Sequence, residues 1–420
     1  MMLSKIEISH YKCFRHASLE LAPFNILIGP NASGKSTFLD SLAFIRDALE
    51  SDVEKAVRKR ASTLQELVWK HEDAEKGFEI ALEASLPASL KTNGYDTLRY
   101  EVGVGLGKNG SIVVGGENLW LINSAQRRKQ ELFPVPLFPF EPPADVEPVL
   151  HPARLKKPQG YRLVVRKVAD SGNDYFRSEK TDWNMMLRFS PQRLALTGIP
   201  EDYDRFPSAL WWKRVLLQNV QVLQLNSVLM RRTCPSDAPR VFQPDGSNLP
   251  IMVKMLLETD PQRFEWWIRH LQTILEDLAH IEVAERPEDR SYYLLVTYRN
   301  GLSVPAWLLS DGTLRLLALT LLAYLPNSEQ VFVIEEPENG IHPKAIEAVF
   351  KALSSVYNSQ VFLATHSPLI LALAEPENLL VFAQSPGGVT SVVNGSRHPM
   401  LRDWQREPSL ETLFAAGVLG

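Results

Sequence analysis

Gly29-Pro30-Asn31-Ala32-Ser33-Gly34-Lys35-Ser36 fits G-x-x-x-x-G-K-[ST] at every fixed position, and no other stretch limits the fold so severely. Such a loop works only when a buried strand delivers it and a helix leaves it. Phe24-Asn25-Ile26-Leu27-Ile28 supplies the strand as a short apolar run, and a helix starts near Lys35. The glycines let the backbone curl, so that successive N–H groups and the helix N-terminus face one anion. Lys35 adds a point charge for β- and γ-phosphates, and Ser36 a hydroxyl ligand for Mg2+. Asn31, Ala32, Ser33, Gly34 and Thr37 complete the set expected to hold a nucleotide.

Around this loop the pattern changes twice. Residues 5–9, 17–21, 78–84, 98–106 and 111–114 read as strands, and Gly-rich turns make the later ones an antiparallel region. Residues 133–158 hold eight prolines in 26 residues, which excludes helix and central strand. From 201 to 290 the pattern is helical, carrying Trp211, Trp212, Trp266 and Trp267, before a strand at 292–298. After 310 the order is helix, strand (331–334), helix (344–357), strand (360–364), helix, and strands at 379–383 and 389–393. That alternation predicts a parallel core with a terminal hairpin. The expected fold is α/β, a mixed sheet with an antiparallel N-terminal part and a parallel P-loop core, interrupted by a largely helical insertion. It divides as 1–120, 121–290 and 291–420.

Composition removes several function classes. With 45% hydrophobic and 22% charged residues the chain is globular, and 420 residues suit two or three units. A net charge of −4 gives no global attraction to nucleic acid or anionic membrane. The basic clusters Arg127-Arg128-Lys129, Lys156-Lys157 and Arg231-Arg232 read as solvated faces. Cys13 and Cys234 offer neither a disulfide framework nor metal spacing. The opening MMLSKIEISHYKCF reads as strand and not as a signal peptide, and Leu316–Ala323 falls far short of the ~20 apolar residues of a membrane span. A cytoplasmic protein with no membrane partner is expected.

The C-terminal third narrows the chemistry. Val331-Phe332-Val333-Ile334 reads as a buried parallel strand with Glu335 and Glu336 at its carboxyl end, where open α/β sheets bind ligands. Glu335 suits Mg2+ held through water, and Glu336 suits a general base for the attacking water, although adjacent glutamates are as often merely solvated. Ser310 opens an apolar helix as a natural N-cap, and with the Gly312 amide it could equally face a γ-phosphate. His366 follows the strand QVFLA, within reach of the same phosphate. Glu201-Asp202-Tyr203-Asp204 reads as a loop.

In order and spacing this set resembles the Walker A, signature, Walker B, D-loop and switch-histidine motifs of ABC ATPases. The resemblance implies Gly29 to Ser36 as Walker A, Ser310 to Arg315 as signature, and Glu335 with Glu336 as the Walker B pair. It implies Asn339 to His342 at the D-loop and His366 as the switch histidine, with Lys35, Glu336 and His366 catalytic. The opening IEISHYKCFRHASLELAPFNILIGPNASGKSTFLDSL is similar to RecF, SMC and OLD ATPases, where a basic residue after the first strand approaches the nucleotide. Lys12 matches that position, with Arg15 as the alternate. SDGTLR and EEPENGIHP resemble OLD-like AAA-family ATPases of bacterial and phage-conflict loci. The likeness covers roughly 1–115 and 290–395, and Gln65 is a weak Q-loop candidate.

What the resemblance implies is ATP hydrolysis with Mg2+ by a homodimer that buries two ATP molecules between its subunits. It further implies DNA repair or antiphage defence beside a separate effector, nuclease or toxin-like, with DNA left open as a partner. The ATPase subunit of a membrane transporter and a slow nucleotide-sensing scaffold stay as alternatives. OLD nucleases end in a Toprim domain, whereas the 54 residues after His366 hold no D-x-D. A chain without a nuclease of its own is therefore expected.

Overall fold

Alternating burial makes Leu3–Tyr11 (β1) and Phe14–Glu20 (β2) a hairpin, paired from Lys5↔Glu20 to Tyr11↔Phe14. Phe24–Ile28 (β3) is buried at all five positions and leads through the loop into Lys35–Glu50 (α1), with Val53–Arg58 (α2) behind it. Phe78–Ser85 (β4), Thr97–Leu106 (β5), Ile112–Ile122 (β6), Tyr161–Val168 (β7), Asp174–Arg177 (β8) and Asn184–Leu187 (β9) follow. They join the hairpin in an eight-stranded antiparallel sheet of order β2-β1-β4-β5-β6-β7-β8-β9. The computed structural model describes residues 3–71, 77–127, 137–141, 148–169, 173–326, 329–401 and 409–417. Arg128 and Lys129, and residues 133–136 and 142–147 of the proline-rich stretch, lie outside them. Its described residues contain no helix or strand.

Next come Pro207–Arg214 (α3), Val220–Leu223 (β10), Ser227–Met230 (α4), Leu249–Thr259 (α5) and Pro261–Gln272 (α6). Leu278–Glu285 (β11), Tyr292–Tyr298 (β12) and Ser303–Pro305 (β13) form a small antiparallel sheet. The chain closes with Asp311–Leu321 (α7), Val331–Glu335 (β14), Pro343–Ser354 (α8), Gln360–Ala364 (β15), Pro368–Leu373 (α9), Leu379–Gln384 (β16), Thr390–Asn394 (β17) and Leu410–Ala415 (α10). The central sheet has the order β10-β14-β15-β3-β16-β17, parallel except for the β16/β17 hairpin.

Both faces of this sheet are covered, which is why its strands are mostly apolar on both faces. Ile26, Ile28, Phe332, Ile334, Val361 and Leu363 face one core with α7 and α8, while Leu27, Val331, Val333, Phe362 and Ala364 face the other with α1. Helix α1 lies between this sheet and the eight-stranded one, so 11 of its 16 residues are buried. No described helix is long and apolar enough to cross a membrane.

The region 121–290 supplies more than helices. Strands β7 to β9 extend the antiparallel sheet from β6, and β10 pairs in parallel with β14, Val220↔Val331 to Leu223↔Ile334. These strands are short or half-exposed, so their alternation in sequence is diluted and pairing with neighbours decides their state.

Candidate functional site

Three neighbouring parallel strands end at one edge. Strand β3 opens into the loop at Gly29, β14 ends on Glu335, and β15, between them, ends on Ala364 just before Thr365 and His366. The register Glu335↔Ala364↔Leu27 brings these ends level. A cavity of about 370 Å3 lies there, lined by Lys12, Cys13, Asn31, Ala32, Ser33, Gly34, Lys35, Ser36, Thr37, Glu335, Glu336, Ala364 and His366.

The loop is backbone-built. Gly29 has φ 148°, and a Cβ there would stand 2.2 Å from the Phe382 carbonyl oxygen. Gly34 caps α1 at φ 105°, where a Cβ would meet Cys13 Sγ at 2.9 Å and Thr390 Cγ2 at 3.0 Å. Gln384 Nε2 donates to the Ala32 carbonyl at 2.8 Å, pinning the crest of the loop to β16. Lys35 Nζ crosses the loop and donates to the Gly29 and Pro30 carbonyls at 2.8 and 2.9 Å. Burial lowers the Lys35 ammonium's pKa, while the charges of Glu336 and Glu335 act in the opposite sense.

Across the cavity, Ser36 Oγ donates to Glu335 Oε2 at 2.8 Å, joining the two residues expected at the metal. Glu336 adopts φ 47°, an uncommon left-handed conformation for a side-chain-bearing residue. It is held there by its N–H on the Ala364 carbonyl at 2.8 Å and by the Asn339 N–H on its own carbonyl at 3.0 Å. Asn339 Nδ2 also bonds Glu336 Oε2. Burial and then the Lys35 charge push the His366 imidazole below its ordinary pKa, against the pull of Glu336 and Glu338. Both effects favour its neutral form.

Lys12 lines the cavity, yet its ammonium pairs with Asp40 Oδ2 on α1 at 2.6 Å. The same carboxylate takes Tyr11 Oη at 2.7 Å and Arg60 Nε at 2.6 Å. Arg15 stacks over the Trp69 ring at 5.5 Å and does not line the cavity, and neither does the exposed Gln65. Ser310 and Gly312 do not line it either. Ser310 caps α7, accepting from the Thr313 N–H at 3.1 Å. Gly312 packs on the turn at Gly340, where a Cβ would stand 2.5 Å from the Gly340 carbonyl oxygen. His342 caps α8, its Nδ1 accepting from the Lys344 N–H at 3.2 Å. Arg231, read as part of a solvated cluster, instead pairs with Asp311 and donates to the Leu309 carbonyl, bracing the start of α7.

Sequence reasoning missed Cys13, Glu338 and Gln384 at this site. Cys13 adjoined Lys12 and was a findable signal. Glu338 stands two residues after Glu336 but meets Thr365 and His366 only through the pairing of β14 with β15, and Gln384 reaches the loop only through the pairing of β16 with β3.

Comparison with known proteins gives the family of the chain. The family described as "AAA domain, putative AbiEii toxin, Type IV TA system" matches residues 24–372. Structural maintenance of chromosomes protein 2 of Gallus gallus is 33% identical over 120 residues, covering 26% of this chain and 9% of that protein. The protein of the same name from Homo sapiens is 34% identical over 113 residues, again 26% of this chain and 9% of its own length. The chain thus matches only a small part of these relatives. Among solved structures, an SMC head bound to the C-winged helix domain of ScpA aligns with a TM-score of 0.50 and 14% identity, covering 94% of this chain and 98% of that one. This last likeness bears on the fold alone.

Proposed function

Because the chain belongs to the family described as "AAA domain, putative AbiEii toxin, Type IV TA system", and is an ABC-class P-loop ATPase of the RecF/SMC type, we propose that it binds and hydrolyses ATP as a nucleotide-gated homodimer. The observation that carries this reading is the meeting of Lys35, Ser36, Glu335, Glu336 and His366 around one cavity at the carboxyl edge of the parallel sheet.

Each residue has a role its geometry supports. The loop amides and Lys35 would hold the β- and γ-phosphates, Lys35 exchanging its two carbonyl partners for phosphate oxygens. Ser36 Oγ and Glu335 Oε2, 2.8 Å apart, are the all-oxygen donors a hard divalent cation takes, and they fit Mg2+. Mg2+ held there would neutralise charge developing on the phosphoryl oxygens. Glu336, fixed by Asn339, would accept the proton of the attacking water, and His366 would hydrogen-bond the γ-phosphate. Lys12 is the further basic group on the cavity wall.

Ser310 and Gly312 act, in this reading, on the nucleotide of a second subunit. Their helix start lies off the cavity of its own chain, and a two-fold axis gives each subunit what the other lacks. The γ-phosphate then joins the subunits, and its loss releases them. The wider role follows from the OLD-like motifs: DNA repair or antiphage defence in the cytoplasm, driving a separate effector protein. The test is light scattering of Glu336→Gln, which should form a dimer with ATP and a monomer with ADP, and should hydrolyse at least ~100-fold more slowly than wild type. A monomer with both nucleotides refutes the gated dimer, and wild-type turnover refutes the base.

A further inference from the structure

Glu338 is acidic, half-buried, and has no part in the roles assigned above. Thr365 Oγ1 donates to its Oε1 at 2.6 Å, and the His366 N–H donates to the same oxygen at 3.3 Å. The Ser367 N–H donates to Thr365 Oγ1 at 2.9 Å, which leaves the hydroxyl proton for the carboxylate. Thr365 itself is fully buried. The other oxygen, Glu338 Oε2, is buried and has no hydrogen-bond partner. An unsatisfied buried acceptor is destabilising, so nothing about solvation or packing favours an acid at this position. What the carboxylate does is grip Thr365 and His366 directly, with Ser367 tied in through the Thr365 hydroxyl.

It does so from the turn that also sets the general base. The Glu336 N–H is bonded to Ala364, the residue before Thr365, and Asn339 binds both the carbonyl and the carboxylate of Glu336. Glu338 closes this ring: Ala364 to Glu336 on one side, Glu338 to Thr365 and His366 on the other. We propose that Glu338 is a positioning residue that locks the 364–367 segment to the 336–339 turn, so that Glu336 and His366 keep a fixed spacing across the γ-phosphate position. This rests on the ATPase reading of the site.

The experiment is a double-mutant cycle on ATP turnover, with ATP binding measured alongside. Glu338→Ala should lower kcat on the order of tenfold, the scale for an outer residue that orients a working one, with the ATP Kd within about twofold. Glu338→Gln should recover most of that loss, since its amide oxygen accepts the same two hydrogen bonds. In a His366→Ala background, Glu338→Ala should cost nothing further, because it acts through the histidine. The same fold-loss in both backgrounds, a Gln variant as impaired as the Ala one, or wild-type kcat in Glu338→Ala would each overturn the proposal. Should Glu338→Ala fail to fold, Thr365→Val takes its place in the cycle with the same expectation. Failure of the ATPase reading is distinguishable, because wild type would then show no ATP turnover above background, or turnover that His366→Ala and Glu336→Gln leave unchanged.

Discussion

Ser310→Asp separates what this residue does for its own helix from what it offers a second subunit. In the structure Ser310 Oγ accepts from the Thr313 N–H at 3.1 Å and pairs with Thr313 Oγ1 at 2.8 Å. Aspartate caps as well as serine does, and its charge at the start of an 11-residue helix adds ~0.3–1 kcal/mol. The neighbouring Asp311 is already paired with Arg231, so repulsion between the two acids is small. Urea denaturation should therefore place the variant within ~1 kcal/mol of wild type. Across the dimer the same carboxylate would face a phosphate. Two like charges about 4 Å apart repel by ~4 kcal/mol at an effective dielectric of 20, and by roughly half that if partly screened. The two-fold dimer holds two such contacts, so nucleotide-driven dimerisation should weaken by roughly a thousand- to a millionfold, with ATP binding to the monomer unchanged. Light scattering and turnover against ATP concentration read both effects. Dimerisation and hydrolysis at wild-type levels would refute the second-subunit role, and a stability loss above about 2 kcal/mol would refute the capping equivalence.

Gly34→Ala should lose nucleotide binding and, at φ 105° with Cys13 Sγ 2.9 Å from the new Cβ, cost ~1–3 kcal/mol of stability; calorimetric titration with ATP and a melting curve check it, and an unimpaired variant refutes the strain argument. For Glu7, burial raises the carboxyl, but Arg99 and Lys5 outweigh it and bring its pKa to about 2 from 4.5. An acid with a depressed folded pKa contributes stability that is full above pH 4.5 and is lost as pH falls towards 2, so between pH 7 and pH 3 wild type should lose about 2 kcal/mol more than Glu7→Gln in urea titrations. Equal losses would show that the Arg99 pairing carries no such linkage.

The loop, the three parallel strand ends and the acidic pair were legible because each is local: a motif, an apolar run, and carboxylates where the run stops. His366 needed only the rule that neighbouring parallel strands share an edge. The Lys12–Asp40 pair was not legible, since a residue after β1 and one on α1 meet only once the helix lies under the antiparallel sheet. Glu338 stood in plain sight within EEPE, but its partners Thr365 and His366 come with β15, which no spacing on β14 announces. Strands β7 to β9 lay beyond a proline-rich stretch that hid the continuation of the sheet, and four-residue β10 was too short to be told from the helices around it.

The position of β3 also shapes how the chain comes to be folded. Its five buried residues, four of them apolar, sit between β15 and β16, so the strand that bears the loop waits for partners that begin at Gln360. The side chain of Gln360 then ties the start of β15 to β1 and to the residues before β3, bonding the N–H and carbonyl of Leu3 at 2.9 Å each and the Ala22 carbonyl at 2.7 Å. On a ribosome adding about 5–20 residues per second, Phe24–Ile28 stays without either neighbour for roughly tens of seconds. The antiparallel sheet can close early, from strands that follow one another, whereas the nucleotide-binding edge is among the last parts to form. Synthesis that stalls before Gln360 leaves an apolar strand bare, and the burden of keeping such a chain from aggregating falls on whatever shields it at the ribosome.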